Sequence, residues 1–314
     1  MSRLPSMTAL RCLDASARLL SFTRAAEDLH LTQGAVSHHI LLLERQLGVQ
    51  LFVRRRSGLE LTQAGRKYWN DTSVILRQLE RATESIITTG GRGGSLNLSV
   101  SSSFANYWLM PRLQSFVAAN PDITLNLSTR VGTVDFSTSE DDAAIEFCSG
   151  PMPGLAANLV LRAELRPYVA PAVLNDFRRV KRLGNRALDL AQLGELLRGR
   201  TLIRRVTVMD AWPGWLSQVG LDAVISESHM NSGPRYALLS MALNGAVAGL
   251  GVALLPDFIA SSAVDSGKLV CLWKDPWVAP RAYYLRWPEW RSDLDVLKRF
   301  ADWLQDVAGN PSAR

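Results

Sequence analysis

The 314-residue sequence predicts a small helical module closed by a β-ribbon, then one long helix, then a larger α/β module. Three observations carry this. Residues 21–62 hold two closely spaced amphipathic helices followed by two short alternating strands. Residues 65–87 hold a proline-free stretch with apolar positions averaging 3.5 apart. From Ser95 onward, short apolar strands alternate with helices.

Composition is globular, with 47% hydrophobic and 20% charged residues. Charge is unevenly placed. Up to Lys67 there are ten Lys and Arg against five Asp and Glu, and the remaining 247 residues carry 25 against 24. A basic front joined to a nearly neutral remainder points to a polyanion as partner of the first module alone. Cys12, Cys148 and Cys271 are far apart and lack C-x-x-C spacing, so neither a disulfide framework nor a zinc site is expected, and a reducing cytoplasm fits. The start has no basic-then-apolar export pattern, and the apolar stretch Ala242–Pro256 is glycine-broken and too short for a bilayer.

In "SFTRAAEDLHLT", Ser21 is placed as a helix cap, and small Ala25 and Ala26 let a second helix approach closely. Thr32 caps that second helix, "QGAVSHHILLLERQL", whose Val36, Ile40, Leu43 and Leu47 form one face while Gly34, His38, Leu41 and Arg45 lie opposite. So tight a connection forces a steep crossing, the geometry of a helix-turn-helix, with a packing-only hairpin as the alternative. After Gly48, "VQLFVRRRSGLELTQAG" reads as strand, turn at Ser57-Gly58, strand and a new cap at Thr62. Arg54, Arg55 and Arg56 sit at the tip of this wing, where guanidinium groups suit phosphates. Leu41 either meets a thymine methyl or packs against the wing, and the second is expected. His38 and His39 point about 100° apart on a helix and cannot easily share one ion, so no metal is expected.

Tyr68, Thr72, Ile75, Leu79, Ala82 and Ile86 recur at spacings of 4, 3, 4, 3 and 4. Such a seam calls for a second helix, and a dimer would set two reading heads on one face of DNA; an intramolecular amphipathic helix is the alternative. "TTGGRGGS" then reads as a hinge. Beyond it, "LNLSVS", a helix from Tyr107 to Ala119, "ITLNLS", "AAIEF", "LRPYVAP", a helix from Tyr236 to Ala248 and "GVALLP" predict a largely parallel α/β sheet. The tryptophans are assigned to core and lobe packing, and Glu140, Asp141 and Asp142 to a solvated loop. No G-x-S-x-G, P-loop, G-x-G-x-x-G or metal-spaced cluster is present, so no enzyme activity is expected.

From Leu4 to Gly65 the elements F-T-x-A-A, T-Q-x-A-V-S, L-E-x-x-L-G, L-F-x-R and L-T-x-A-G together resemble the DNA-binding domain of LysR-type transcriptional regulators, within them the glycine-cleavage regulator subgroup. "SSSFANYWLMPRLQSF", "PDITL", "GLGVALLPDF" and "GKLV" extend the resemblance more weakly. It implies that Arg24, Thr32, Gln33, Ser37 and His38 contact double-stranded DNA, with Arg54, Arg55 and Arg56 serving the wing. It also implies a two-lobed, type 2 periplasmic-binding-protein-like effector domain, a small-molecule co-inducer without a cofactor, RNA polymerase as a further partner, and a homodimer assembling to a homotetramer. The expected division is 1–65 winged helix-turn-helix, 66–89 dimerisation helix, 90–95 hinge and 96–314 effector-binding domain. The effector is expected where Ser101, Ser102 and Ser103 leave the first strand and open a helix, with Arg204 and Asn231 facing the same cleft and Arg205 as the other candidate inward residue.

Overall fold

The computed structural model describes residues 4–55, 58–89, 93–130 and 132–309, without the side chains of 81, 82, 84–86, 88 and 89. The chain forms two compact units, Met1–Ser95 with Asp135–Asp141, and Leu96–Val134 with Asp142–Arg314.

In the first unit, helices α1 (Met7–Leu19), α2 (Phe22–Leu29) and α3 (Gln33–Leu47) each open on a side-chain cap. Ser6 accepts from the Ala9 amide at 3.2 Å, Ser21 from Arg24 at 3.3 Å and Thr32 from Ala35 at 3.2 Å. The intervening turns put Leu20 and His30 at φ 47° and 54°, left-handed positions without glycine. Ala25 and Ala26 are buried in one core with Cys12, Leu13, Val36, Ile40, Leu43, Leu51 and Phe52. The wing is an antiparallel pair, β1 (Phe52–Arg55) and β2 (Gly58–Leu61), in the register Phe52 to Leu61. Glu44 anchors its start by accepting from the Leu51 and Phe52 amides at 2.7 and 3.1 Å. Helix α4 (Gln63–Thr89) begins where Thr62 accepts from the Gly65 amide at 2.9 Å. A Cβ on Gly65 would fall 2.0 Å from the Leu51 carbonyl oxygen, so only glycine fits there. Trp69 on α4 donates to Asp14 on α1 at 2.9 Å.

The second unit runs β3 (Gly94–Val100), α5 (Ser102–Phe104), a π-turn over Ala105–Leu109, α6 (Met110–Ala119), β4 (Ile123–Thr129), β5 (Ala143–Cys148) and β6 (Leu155–Val169). It continues through α7 (Pro171–Lys181), α8 (Leu190–Arg198), β7 (Leu202–Arg205), α9 (Ala211–Val219), α10 (Glu227–Ser232), β8 (Arg235–Tyr236) and α11 (Leu239–Val247). Strand β9 (Val252–Pro256), α12 (Asp257–Asp265), β10 (Val270–Cys271), β11 (Trp277–Pro288) and α13 (Asp295–Gly309) complete it. Strands β3 to β11 make one sheet in the order β4-β3-β5-β11-β6-β9-β7-β8, with β10 beside β6.

The sheet is mixed, which corrects the largely parallel expectation. β3–β5, β7–β9 and β7–β8 are parallel, whereas β11 is antiparallel to both β5 and β6, and β6 is antiparallel to β9. The cause is the length of β6 and β11, 15 and 12 residues, which lets them run from one lobe into the next. Val160 and Ala163 of β6 lie in a core with Phe104, Tyr283 and Phe300, while Leu165 and Val169 of the same strand lie in another with Leu193, Trp215 and Val252. Two lobes therefore share a pair of strands.

Three further expectations change. Residues 90–92 of the expected hinge lie outside the described residues, and Gly94 and Ser95 already belong to β3. The acidic run is solvated only at Glu140: Asp141 is buried and accepts from the Ser139 hydroxyl, and Asp142 accepts from the Asn97 amide at 2.7 Å, joining β3 to β5. Trp212, Trp215 and Trp287 are buried as expected, but Trp290 is exposed.

Candidate functional site

Helix α3 buries Val36, Ile40 and Leu43 and turns Gln33, Gly34, His38, Leu41 and Arg45 to solvent. The open side is flat at its start, since a Cβ on Gly34 would meet nothing within 4 Å. Gln33 donates to the Ser37 hydroxyl at 3.3 Å, so two donor–acceptor groups stay on one face. Thr32 is exposed but its hydroxyl is engaged as the cap. Arg24 is exposed on α2 and donates to the Leu19 carbonyl. On the wing, the Arg54 guanidinium carbon lies 5.9 Å from the Phe22 ring centroid, and Arg55 pairs with Glu60 at 3.1 Å. Arg56 lies outside the described residues. Leu41 does not pack under the wing: it is 43% exposed and its neighbour Leu42 is 44% exposed, because α3 meets the ribbon through Glu44 and the buried Leu43 instead.

Along the α4 seam, Tyr68 packs half-buried against the front core and the Thr72 hydroxyl donates back to the Tyr68 carbonyl at 2.7 Å. Ile75 and Leu79 are 62% and 47% exposed, while the intervening Leu76 is buried. The Ala82 and Ile86 side chains lie outside the described residues.

In the second unit a cavity of about 190 Å³ is lined from the first lobe by Ser101, Ser102, Ser103 and Glu146, and from the second by Arg205, Thr207 and Leu239, with Arg281 and Tyr283 of β11 also on the wall. Ser101 occupies the cap position of α5 without a capping side-chain bond, and the Ser103 hydroxyl accepts from the Ser240 amide of α11 at 3.2 Å. Arg204 and Asn231 are not on the wall, which corrects both assignments. Arg204 donates to the Asn231 side-chain oxygen and carbonyl, each at 2.6 Å, and to the Gly233 carbonyl at 3.1 Å, so the two residues brace β7 against α10. Strand alternation turns the next residue to the opposite face, and Arg205 enters the cavity.

Arg205 donates to the Thr207 hydroxyl at 2.9 Å, and its enclosed Nε has no hydrogen-bond partner among the described residues. Burial lowers its pKa from the ordinary arginine value, and the Arg281 charge acts the same way. Arg281 lies 5.0 Å over the Phe147 ring and donates to the Thr207 carbonyl. Burial raises the Tyr283 pKa, keeping its hydroxyl protonated. Among the described residues Glu146 is the one acid on the wall, and its carboxylate is already engaged by the Val134 amide and by buried Arg286 at 2.9 Å. Arg205 was legible only as an alternative. Arg281, Glu146 and Thr207 were missed; of these Glu146 left a readable signal, since a charge inside each of the apolar strands "AAIEF" and "AYYLRW" marks a diagonal cross-strand pair, Glu146 with Arg286.

The family model described as LysR substrate binding domain matches residues 89–309, and that of the bacterial regulatory helix-turn-helix protein, lysR family, matches residues 7–66. The chain belongs to the LysR family of transcriptional regulators. It is 36% identical over 302 residues to the glycine cleavage system transcriptional activator of Escherichia coli K12, covering 96% of this chain and 93% of that one. The effector domain of the transcriptional regulator AmpR of Pseudomonas aeruginosa superposes with a TM-score of 0.58 at 26% identity, over 68% of this chain and 95% of that structure. ArgP of Mycobacterium tuberculosis shares the fold over 98% of both chains, with a TM-score of 0.62 at 19% identity. As a LysR regulator, the protein binds DNA sequence-specifically through its helix-turn-helix, and its activity is modulated by a small molecule bound between the lobes of the C-terminal domain. Among the described residues no helix is long and apolar enough to cross a membrane.

Proposed function

We propose that the protein acts in the cytoplasm as a homodimer, pairing into a tetramer, that holds promoter DNA with two copies of α3 and the wing and engages RNA polymerase. Gln33, Ser37 and His38 read base edges or adjacent phosphates, while Arg24, Thr32 and Arg54 to Arg56 hold the backbone. The division 1–65, 66–89 and 96–314 assigns reading, pairing and sensing, with the hinge of 90–95 narrowed to the residues ahead of β3 at Gly94. The exposed start of α3 beside a basic ribbon, in a chain of this family, carries the reading.

Pairing is supported by the exposed Ile75 and Leu79, which leave an apolar stripe for a second α4. The effector occupies the cavity walled by Ser101, Ser102, Ser103 and Arg205, and couples to DNA by binding one assembled state better than another.

Mobility-shift titration against DNA upstream of the protein's own gene, repeated across salt concentrations, tests the reading. A specific shift by an even-numbered oligomer is expected, with affinity falling steeply as salt rises. The double substitution Ile75→Asp and Leu79→Asp should give monomers that lose the specific shift. Absence of any specific complex from a well-folded dimer or tetramer would refute the proposal.

A further inference from the structure

Resting on the effector reading above, we infer that the molecule bound in the cavity is a compact organic anion of net charge −2 whose oxygens are shared between Arg205 and Arg281. The two guanidinium groups converge on one residue, one on the Thr207 hydroxyl and the other on its carbonyl. Among the described residues neither is paired with a carboxylate. The one acid on the wall, Glu146, is committed to Arg286 and the Val134 amide and has no charge left to offer them.

Two like charges held side by side in a half-buried site cost stability unless something neutralises them. A dianion does this with charge-assisted, forked hydrogen bonds, and the buried, unpartnered Arg205 Nε supplies one more donor. A zwitterionic amino acid does not. Its ammonium group would stand beside two guanidiniums with no free carboxylate to receive it, and the site would keep its net positive charge. At about 190 Å³ the cavity is below the usual range for drug-sized ligands, so the anion is small. Hydroxyls of Ser101, Ser102 and Thr133 on the wall suit a ligand rich in oxygen acceptors.

The test uses the full chain, with melting temperature and calorimetric binding measured at constant ionic strength for succinate, inorganic phosphate, acetate and glycine. Succinate or phosphate should raise the melting temperature and bind about tenfold or more tightly than acetate or glycine. That advantage should vanish in Arg205→Gln and in Arg281→Gln and persist in Lys268→Gln, which removes an exposed charge elsewhere. Arg205→Met should melt at or above the unliganded wild type, since it removes an uncompensated cation; this reports on the charge pair even if a ligand assay fails. A response to succinate alone marks a dicarboxylate, and one to phosphate alone a phosphate ester; either supports the inference. Glycine or acetate binding as well as the dianions, with loss in Ser102→Ala, would keep the effector cavity and overturn the dianion. A dianion effect undiminished in both cavity variants, or no binding of any probe, would overturn it as well.

Discussion

The arginines of the wing and those of the sensor cavity carry the same charge under opposite conditions. Arg54 and Arg55 are exposed at the end of a two-stranded ribbon, where water solvates them whether or not DNA is present. Arg281 and Arg286 sit on β11, a strand shared by the two lobes, and Arg205 ends β7 on the wall of the same cavity as Arg281, where a charge calls for a neighbour to answer it. Arg286 is answered internally by Glu146, whereas among the described residues Arg205 and Arg281 meet the hydroxyl and carbonyl of Thr207 and the Phe147 ring but no carboxylate. The difference teaches how one residue type serves two purposes. Solvated guanidiniums supply sequence-independent, salt-sensitive grip, and enclosed ones supply selectivity, because only a ligand of complementary charge relieves them.

The paired site should break hardest. Glu146→Gln leaves Arg286, 2% exposed, without its counter-charge and should lower unfolding free energy by about 3–5 kcal/mol. Urea denaturation of the variant measures it, and a loss under about 1 kcal/mol would mean that the pair is not what holds β5 to β11. Next in size is Gly65→Ala. A methyl group there overlaps the Leu51 carbonyl at the start of the ribbon, and a cost of about 1–3 kcal/mol follows if the strand moves to relieve it. Calorimetric melting of the variant tests this, together with DNA affinity, since the displaced ribbon carries Arg54 and Arg55.

The two regions also differed in how far they could be read from sequence. The front module is specified by contacts close in the chain: Thr32 caps Ala35, Glu44 reaches Leu51 and Phe52, and Thr62 receives Gly65. Each leaves a short motif, and α2, α3, the ribbon and the caps at Ser21, Thr32 and Thr62 were visible, whereas α1 and its Ser6 cap were not read. The cavity is assembled from residues far apart, with Ser103 facing Ser240 and Glu146 meeting Arg286 across 140 positions. No spacing rule reaches that distance. Even so, the serine run was placed on the wall, while Arg204 was lost to the face parity of one four-residue strand, β7, and Asn231 on α10 is turned to Arg204 instead of the cavity. Leu41 was rightly placed opposite the buried face of Val36, Ile40 and Leu43, but its expected packing against the wing gave way to exposure, which leaves the thymine-methyl alternative.

A cap substitution comes third. Thr32→Ala removes the acceptor for the Ala35 amide and should cost about 1 kcal/mol of stability. Thr32→Ser should restore most of it. If the serine variant recovers stability but not DNA affinity, the threonine methyl contributes to the interface apart from the cap.

The smallest effect on stability should come from the wing itself. Arg55 pairs with Glu60 at 3.1 Å, but both side chains are well exposed, so screening by water leaves little net attraction. Arg55→Ala should therefore change unfolding free energy by no more than about 0.5 kcal/mol. Its effect belongs to DNA binding. Loss of one phosphate contact per protomer should weaken binding alike on specific and non-specific sequences and lower the slope of log affinity against log salt by about one for each contact removed. An Arg55→Ala variant that destabilised the chain by as much as Glu146→Gln would erase the distinction between solvated and enclosed arginines. A weakening confined to one DNA sequence would make Arg55 a reader of bases rather than a clamp on the backbone.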